Sequence, residues 1–110
     1  MRSFRLGNVS DEDLLEQLQS GATDALALLF DRHGRQVFGV ADRILRNSAE
    51  AEDVMQEVFL EVYRDAGKFN PAGGSVKTWI LQRANHRSLN RWQYLTLHGR
   101  SDERAVAYEP

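Results

Sequence analysis

The chain has 110 residues, 42% of them apolar, with no cysteine and a formal net charge of −2. That length suits one compact domain, whose core can bury well over half of the unfolded chain's surface without staples. The lack of cysteine excludes disulfides, cysteine-ligated zinc and thiol catalysis; no apolar run approaches the roughly 18 residues of a membrane span, and residues 1–20 carry no signal-peptide core, so a cytoplasmic protein is expected.

The pattern predicts an all-α chain of about four helices, with no strand. Ser10 opens the first helix, Asp13 follows at capping-box spacing, and Leu14, Leu15 and Leu18 form its apolar stripe up to Gly21. The second helix spans about residues 23–45. Its apolar positions are Leu26, Leu29, Phe30, Val37, Val40, Ala41, Ile44 and Leu45, with Gly34 and Gly39 as weak points. Asn47 and Ser48 break the pattern, and Ser48 is the expected N-cap of the third helix. Glu50, Glu52 and Asp53 crowd its first turn, where the helix dipole favours negative charge. This helix is expected to reach about Ala66, with Gly67 as the residue just past its end.

The third helix carries two faces. Val54, Met55, Val58, Phe59, Val62 and Tyr63 recur at helical spacing and are expected in the core. On the other side lie Asp53, Gln56, Glu57, Leu60 and Arg64. Two readings are open for that side: a solvated face, which the residues alone favour, or a helix-docking patch built on Leu60 framed by acids and an amide. The following string, Lys68-Phe-Asn-Pro-Ala-Gly-Gly74, is expected to be non-helical. It offers a cation, an aromatic ring, an amide and two glycines. Such groups can approach and stack on an unstacked base; the residues alone favour an ordinary turn with Phe69 in the core.

Ser75 is the expected cap of the fourth helix, which runs to about residue 94 or beyond. Val76, Trp79, Ile80 and Ala84 can pack inward, and Trp79 is expected in the core. Lys77, Arg83, His86, Arg87, Asn90 and Arg91 populate the outer faces, interleaved with Gln82, Asn85 and Gln93. Cations bind phosphates and amides read base edges, the mixture that a DNA-contacting helix needs. Trp92 and Tyr94 are either stacking platforms or core covers. From about residue 98 the chain is polar and aperiodic, as in a linker or frayed tail.

Charge is unevenly spread. Residues 1–67 carry 7 Lys/Arg against 13 Asp/Glu, whereas residues 68–100 carry 6 Lys/Arg and no acid. An acid-free block of this kind reads either as a polyanion site or as a basic face that is merely solvated. His33, His86 and His98 show no metal-ligand spacing, and no nucleophile–base arrangement, phosphate-binding glycine loop or carboxylate pair emerges, so neither an enzyme nor a cofactor is expected.

The string Ala51-Glu-Asp-Val-Met-Gln-Glu-Val-Phe-Leu-Glu-Val-Tyr63, then a Lys-Phe loop, then Thr78-Trp-Ile-Leu81, closely resembles region 2 of the extracytoplasmic-function (ECF) sigma factors. The stretch Gly21-x-x-x-Ala25-x-x-x-Leu29-Phe30 resembles that family's opening helices, and the likeness covers about residues 10–95. The resemblance implies a compact helical bundle of the sigma region 2 type over residues 1–97, with 98–110 beginning an interdomain linker. It implies promoter recognition and melting without catalysis. Asp53, Gln56, Glu57 and Leu60 are then the surface that grips the β′ clamp helices of core RNA polymerase. Lys68, Phe69, Asn70 and Ser75 belong to the loop that captures a flipped base of the single-stranded non-template minus-ten element. Lys77, Arg83, His86, Arg87, Asn90 and Arg91 lie on the helix that meets promoter DNA. An anti-sigma factor is an expected partner; a helical module binding such a regulator without reading DNA is the alternative, which has no need of the basic block.

Two departures limit the likeness. His86 stands where the family often has Asn, and Asn90 where it often has Asp, so the role of the helix carries over but its base preference does not. Family members also carry a region 4 helix-turn-helix domain that this chain lacks, which is the expectation for an excised domain or a truncated protein.

Overall fold

The computed structural model describes the backbone of residues 9–106 and the side chains of residues 9–98. Four helices, α1 (Asp11–Gln19), α2 (Asp24–Leu45), α3 (Ser48–Arg64) and α4 (Val76–Val106), account for most of it, with 3-10 turns at Ala66–Lys68 and Pro71–Gly73. No strand occurs among the described residues. The expected domain start at residue 1 and the end of the tail, 107–110, lie outside them.

Each helix begins and ends for a local reason. At α1 the Ser10 hydroxyl accepts from the Asp13 amide (3.1 Å), as expected. Its C-terminus closes with paired bonds, Gly21 N–H to the Leu18 carbonyl (3.0 Å) and Ala22 N–H to that of Gln17 (2.9 Å), a Schellman ending. Gly21 supplies the φ of +94° that this ending requires. α2 buries Ala25, Leu29, His33, Val37 and Ala41 in one unbroken i, i+4 row, and it packs against each of the other three helices.

The cap of α3 is Asn47, not Ser48: its extended backbone lets Oδ1 accept from the Glu50 amide (3.0 Å), and Ser48 is already helical. Nor does α3 reach Ala66. It stops at Arg64 because the buried Asp65 turns inward to three cations, and the chain tightens into the first 3-10 turn, with Lys68 N–H on the Asp65 carbonyl (2.8 Å). Gly67 therefore sits inside that turn, where a Cβ would lie 3.4 Å from the Gln19 side chain of α1. The loop is less irregular than expected. Asn70 Oδ1 accepts from the Ala72 amide (3.0 Å) and starts a second 3-10 turn.

Ser75 caps α4 as expected, accepting from the Thr78 amide (3.1 Å). The helix then continues to Val106, through residues 98–106 where the polar, aperiodic sequence suggested a tail. Leu14, Leu29, Val37, Val54, Val58, Val62, Val76 and Ile80 are sealed in one core, each contributing roughly 1.5–3 kcal/mol on burial. Tyr63, expected there, is exposed. On the α1 side, Asp11 accepts from His33 Nε2 (2.8 Å) and Arg32 Nη1 (2.9 Å), tying α1 to α2.

Candidate functional site

Three surface features sit on this frame. The first is a groove between α2 and α3. One part, about 500 Å³, is lined by residues including Leu26, Phe30, Gln56, Phe59 and Leu60; it adjoins a hollow of about 430 Å³ through the shared Phe30 and Asp31. Leu60 is 64% exposed at its rim, and Gln56 and Asp53 are also exposed. Phe30 packs edge-on against Phe59 (centroids 5.1 Å apart) and is left 39% exposed. Leu26 and Phe30 lie one position beyond the buried row of α2, which is why they border the groove instead of filling the core. Periodicity placed them in a broad apolar stripe and did not separate them from that row.

The second feature joins α3 to α4. Arg83, Arg87 and Arg91, spaced i, i+4, run antiparallel to a matching row of acids. Arg83 Nη1 donates to Glu61 (3.0 Å) and Asp65 (3.1 Å). Arg87 pairs with Glu61 and with Glu57 (3.1 Å). Arg91 reaches Glu50 (2.7 Å), Asp53 (3.2 Å) and Glu57 (2.6 Å). These three arginines thus turn toward α3, where the sequence suggested outward-facing cations, and they bring Asp53 and Glu57 into contact with α4. Hydrogen bonding from Arg64 holds the Asp65 carboxyl well below the usual carboxylate range, against the opposing effect of burial, with the Arg64, Lys68 and Arg83 charges adding to it. Burial pulls Arg91 down, but its bonds to Glu50 and the charge of Glu57 outweigh that and raise it overall.

The third feature is a small, comparatively enclosed cavity of about 160 Å³ under the interhelical loop, lined by Lys68, Phe69, Asn70, Gly73, Ser75, Trp79 and Gln82. Four of these were expected at a base-capturing loop: Lys68, Phe69, Asn70 and Ser75. Trp79 and Gln82 were missed, because the turn after Ser75 brings the exposed side of α4 under the loop. Phe69 and Trp79 meet edge to face (5.5 Å), and the Arg83 guanidinium lies over Trp79 at 4.4 Å. Neither ring is sealed in the core; both are partly buried. Gly74 takes a φ of +129°, which a side chain rarely adopts, and so swings the chain into Ser75.

Beyond the cavity, Lys77, His86 and Asn90 are exposed on α4, with His86 Nε2 and Asn90 Nδ2 3.3 Å apart. Trp92 and Tyr94 are also exposed, which answers against a core-covering role. No helix among the described residues is long and apolar enough to cross a membrane.

Fold and surfaces together define a helical domain, without strands among the described residues, that carries an apolar groove between α2 and α3, a charged seam between α3 and α4 and a cavity under the loop joining them. The sigma-70 region 2 family model matches residues 29–96, and the chain belongs to that family as an ECF sigma factor region 2 domain. It is 37% identical over 78 residues to the ECF RNA polymerase sigma factor SigK of Mycobacterium sp. (strain KMS), covering 71% of this chain and 40% of that protein. It is 36% identical over 83 residues to SigK of Mycobacterium bovis (strain BCG / Pasteur 1173P2), covering 74% and 44%. The chain therefore spans about two-fifths of the length of these relatives. Among solved structures, an engineered region 2 of sigmaE in complex with GTAAAA matches with a TM-score of 0.70 at 30% identity, covering 86% of this chain and 94% of that one.

Proposed function

We propose that this chain recognises and melts promoter DNA for RNA polymerase, acting without catalysis. The carrying observation is the loop cavity, an aromatic-walled pocket rimmed by Lys68, Asn70 and Ser75 at the start of a helix that carries no acid as far as residue 100. The sigmaE region 2 neighbour, solved with GTAAAA, supports this reading. Such a pocket can bind a non-template base presented by the open strand and not one stacked in duplex, so binding itself shifts the equilibrium towards melted DNA. Lys68, Phe69, Asn70 and Ser75 then hold the base, and Lys77, His86 and Asn90 meet the adjoining DNA. Arg83, Arg87 and Arg91, paired as they are with α3, act chiefly in holding the two helices together.

The α2–α3 groove, with Gln56 and Leu60 at its edge and Asp53 and Glu57 beside them, is the proposed seat of the β′ clamp helices of RNA polymerase. An anti-sigma factor is a further proposed partner, the site of action is the cytoplasm, and residues 98–110 lead into the linker towards the rest of a longer sigma factor. The purely protein-binding alternative leaves the loop cavity and the exposed Lys77, His86 and Asn90 without a use.

The test is a selection of single-stranded DNA by the 110-residue chain. Enrichment of a minus-ten-like sequence, with affinity falling as salt rises, is expected. Absent binding at low salt, or binding indifferent to sequence, overturns the DNA half. For the polymerase half, Leu60→Asp is cleaner than Glu57→Ala, because Glu57 also holds Arg87 and Arg91. Unchanged association of the Leu60→Asp chain with β′ clamp helices would sink that assignment.

A further inference from the structure

A continuous chain of contacts leads from α3 to the loop cavity. Asp65, its side chain 6% exposed, and Glu61, 13% exposed, both accept from Arg83 Nη1. The Arg83 guanidinium carbon lies 4.4 Å from the centre of the Trp79 ring, and Trp79 meets the Phe69 ring edge to face at 5.5 Å. Both rings line the cavity. Arg83 is itself only partly exposed, and its Nε is buried without a hydrogen-bond partner. A group so enclosed is badly placed to reach a phosphate. It is well placed to fix a ring, because a planar guanidinium held by two carboxylates has little freedom to leave the π face beneath it. Asp65 also accepts from Arg64 and pairs with Lys68, so the same carboxylate anchors the first turn of the loop.

We propose that Arg83 is a positioning residue for the loop cavity and not a phosphate contact: pinned by Glu61 and Asp65, it fixes Trp79, and through it Phe69, as the aromatic wall against which the extruded base packs. This rests on the base-capturing reading of the cavity given above. Its physical content is preorganisation. A wall set before DNA arrives spares the complex the ordering of two large rings, and that benefit appears only when a base fills the pocket.

The experiment uses the 110-residue chain and the best single-stranded hexamer from the selection described above, together with versions carrying an abasic site at each position in turn. For the unmodified chain, removing the captured base should weaken binding about tenfold, the order that base–aromatic stacking contributes. If no abasic position weakens binding, base capture itself fails, and the inference with it. If one does, Arg83→Met should bring that ratio most of the way to unity while leaving the salt dependence unchanged. Equal weakening towards every oligonucleotide, with a salt slope shallower by about one, would instead make Arg83 a phosphate contact and overturn the proposal.

Asp65→Asn separates the two readings by sign. Removing a negative charge near DNA should tighten binding if charge alone matters; the positioning role requires loss of base discrimination, as in Arg83→Met. Arg83→Lys guards against misfolding, since it keeps the charge and can keep one ion pair but cannot lay a planar group on Trp79. It should show normal salt dependence and reduced discrimination, and full discrimination would overturn the role of the stack. Trp79 emission, read in a Trp92→Phe background that leaves one tryptophan, should shift in unliganded Arg83→Met; an unchanged spectrum would also count against the contact.

Discussion

The α3–α4 seam and the 68–75 loop are both built from polar side chains, yet they differ in what those side chains have left to offer. Along the seam Arg83, Arg87 and Arg91 face Glu50, Asp53, Glu57, Glu61 and Asp65 at hydrogen-bonding distance, so the opposite charges satisfy one another. In the loop Lys68, Asn70 and Ser75 stay exposed around a hollow walled by two aromatic rings. Each keeps a bond inside the domain, Lys68 to Asp65, Asn70 Oδ1 to the Ala72 amide and Ser75 to Thr78, but its exposure leaves it open to a further partner from outside. Net charge over a stretch of sequence thus says little about which charges are available; the pairing decides that.

The largest expected effect comes from removing what both regions share. Ile80 is sealed beneath the start of α4, one residue from Trp79 and three from Arg83. Ile80→Ala should cost about 2–5 kcal/mol of stability in chemical denaturation, and seam and loop should be lost in one transition. A separate early transition seen by Trp79 emission would show the loop to be an independent unit. The next effect separates the regions. Phe69→Ala should weaken binding of the selected single strand by about 1–3 kcal/mol, the usual worth of a base–aromatic stack, and affect duplex binding far less. Equal losses on the two would detach Phe69 from base capture.

Much of this was legible in the chain because the relevant signals are local. Ser10, Gly21 and Ser75 mark helix ends through bonds that span only three to five residues, and the apolar row of α3 reports its own buried face. The resemblance of residues 51–63 and 78–81 to ECF region 2 supplied the fold and the loop. What escaped was set by neighbours distant in sequence. The direction of Arg83, Arg87 and Arg91 depends on how α4 lies across α3, although two rows of opposite charge at equal spacing were visible as a hint. Asp65 ends α3 early with help from Arg83, 18 residues on, which binds its carboxylate beside the local cations Arg64 and Lys68. The length of α4 was missed because apolar periodicity reports burial and not helicity, and residues 98–106 lack it.

A smaller effect tests the seam alone. In a double-mutant cycle, Arg87→Met and Glu61→Gln should couple by about 0.5–1 kcal/mol, at the upper end for pairs that keep some solvent contact. The coupling should shrink with added salt, as screening of a partly exposed pair requires. Single-strand affinity should fall by less than a lost phosphate contact entails, since Arg87 is spoken for within the domain. A large, sequence-independent loss of DNA binding in Arg87→Met would erase the contrast between seam and loop.

The smallest expected effect lies at Asp65, where the seam and the loop meet. Its carboxyl is held below its unfolded value of about 3.8, principally by the hydrogen bond from Arg64, with support from the Arg64, Lys68 and Arg83 charges. A depressed carboxylate stabilises the fold fully above its unfolded pKa, and that contribution drains away as pH falls through the lower folded value. Stability should therefore be insensitive to Asp65 near neutral pH and decline below about pH 4, and Asp65→Asn should flatten this part of the acid limb while lowering stability on the plateau. Because Asp65 holds Lys68 and Arg83 together, Trp79 emission of the folded chain in the Trp92→Phe background should hold steady as stability begins to fall and change only at the lower pH where the native carboxyl itself takes up a proton. If Asp65→Asn leaves the acid limb unchanged, the carboxylate is not the joint between the two regions, and the loop must take its shape from its own turns and the packing of Phe69 on Trp79.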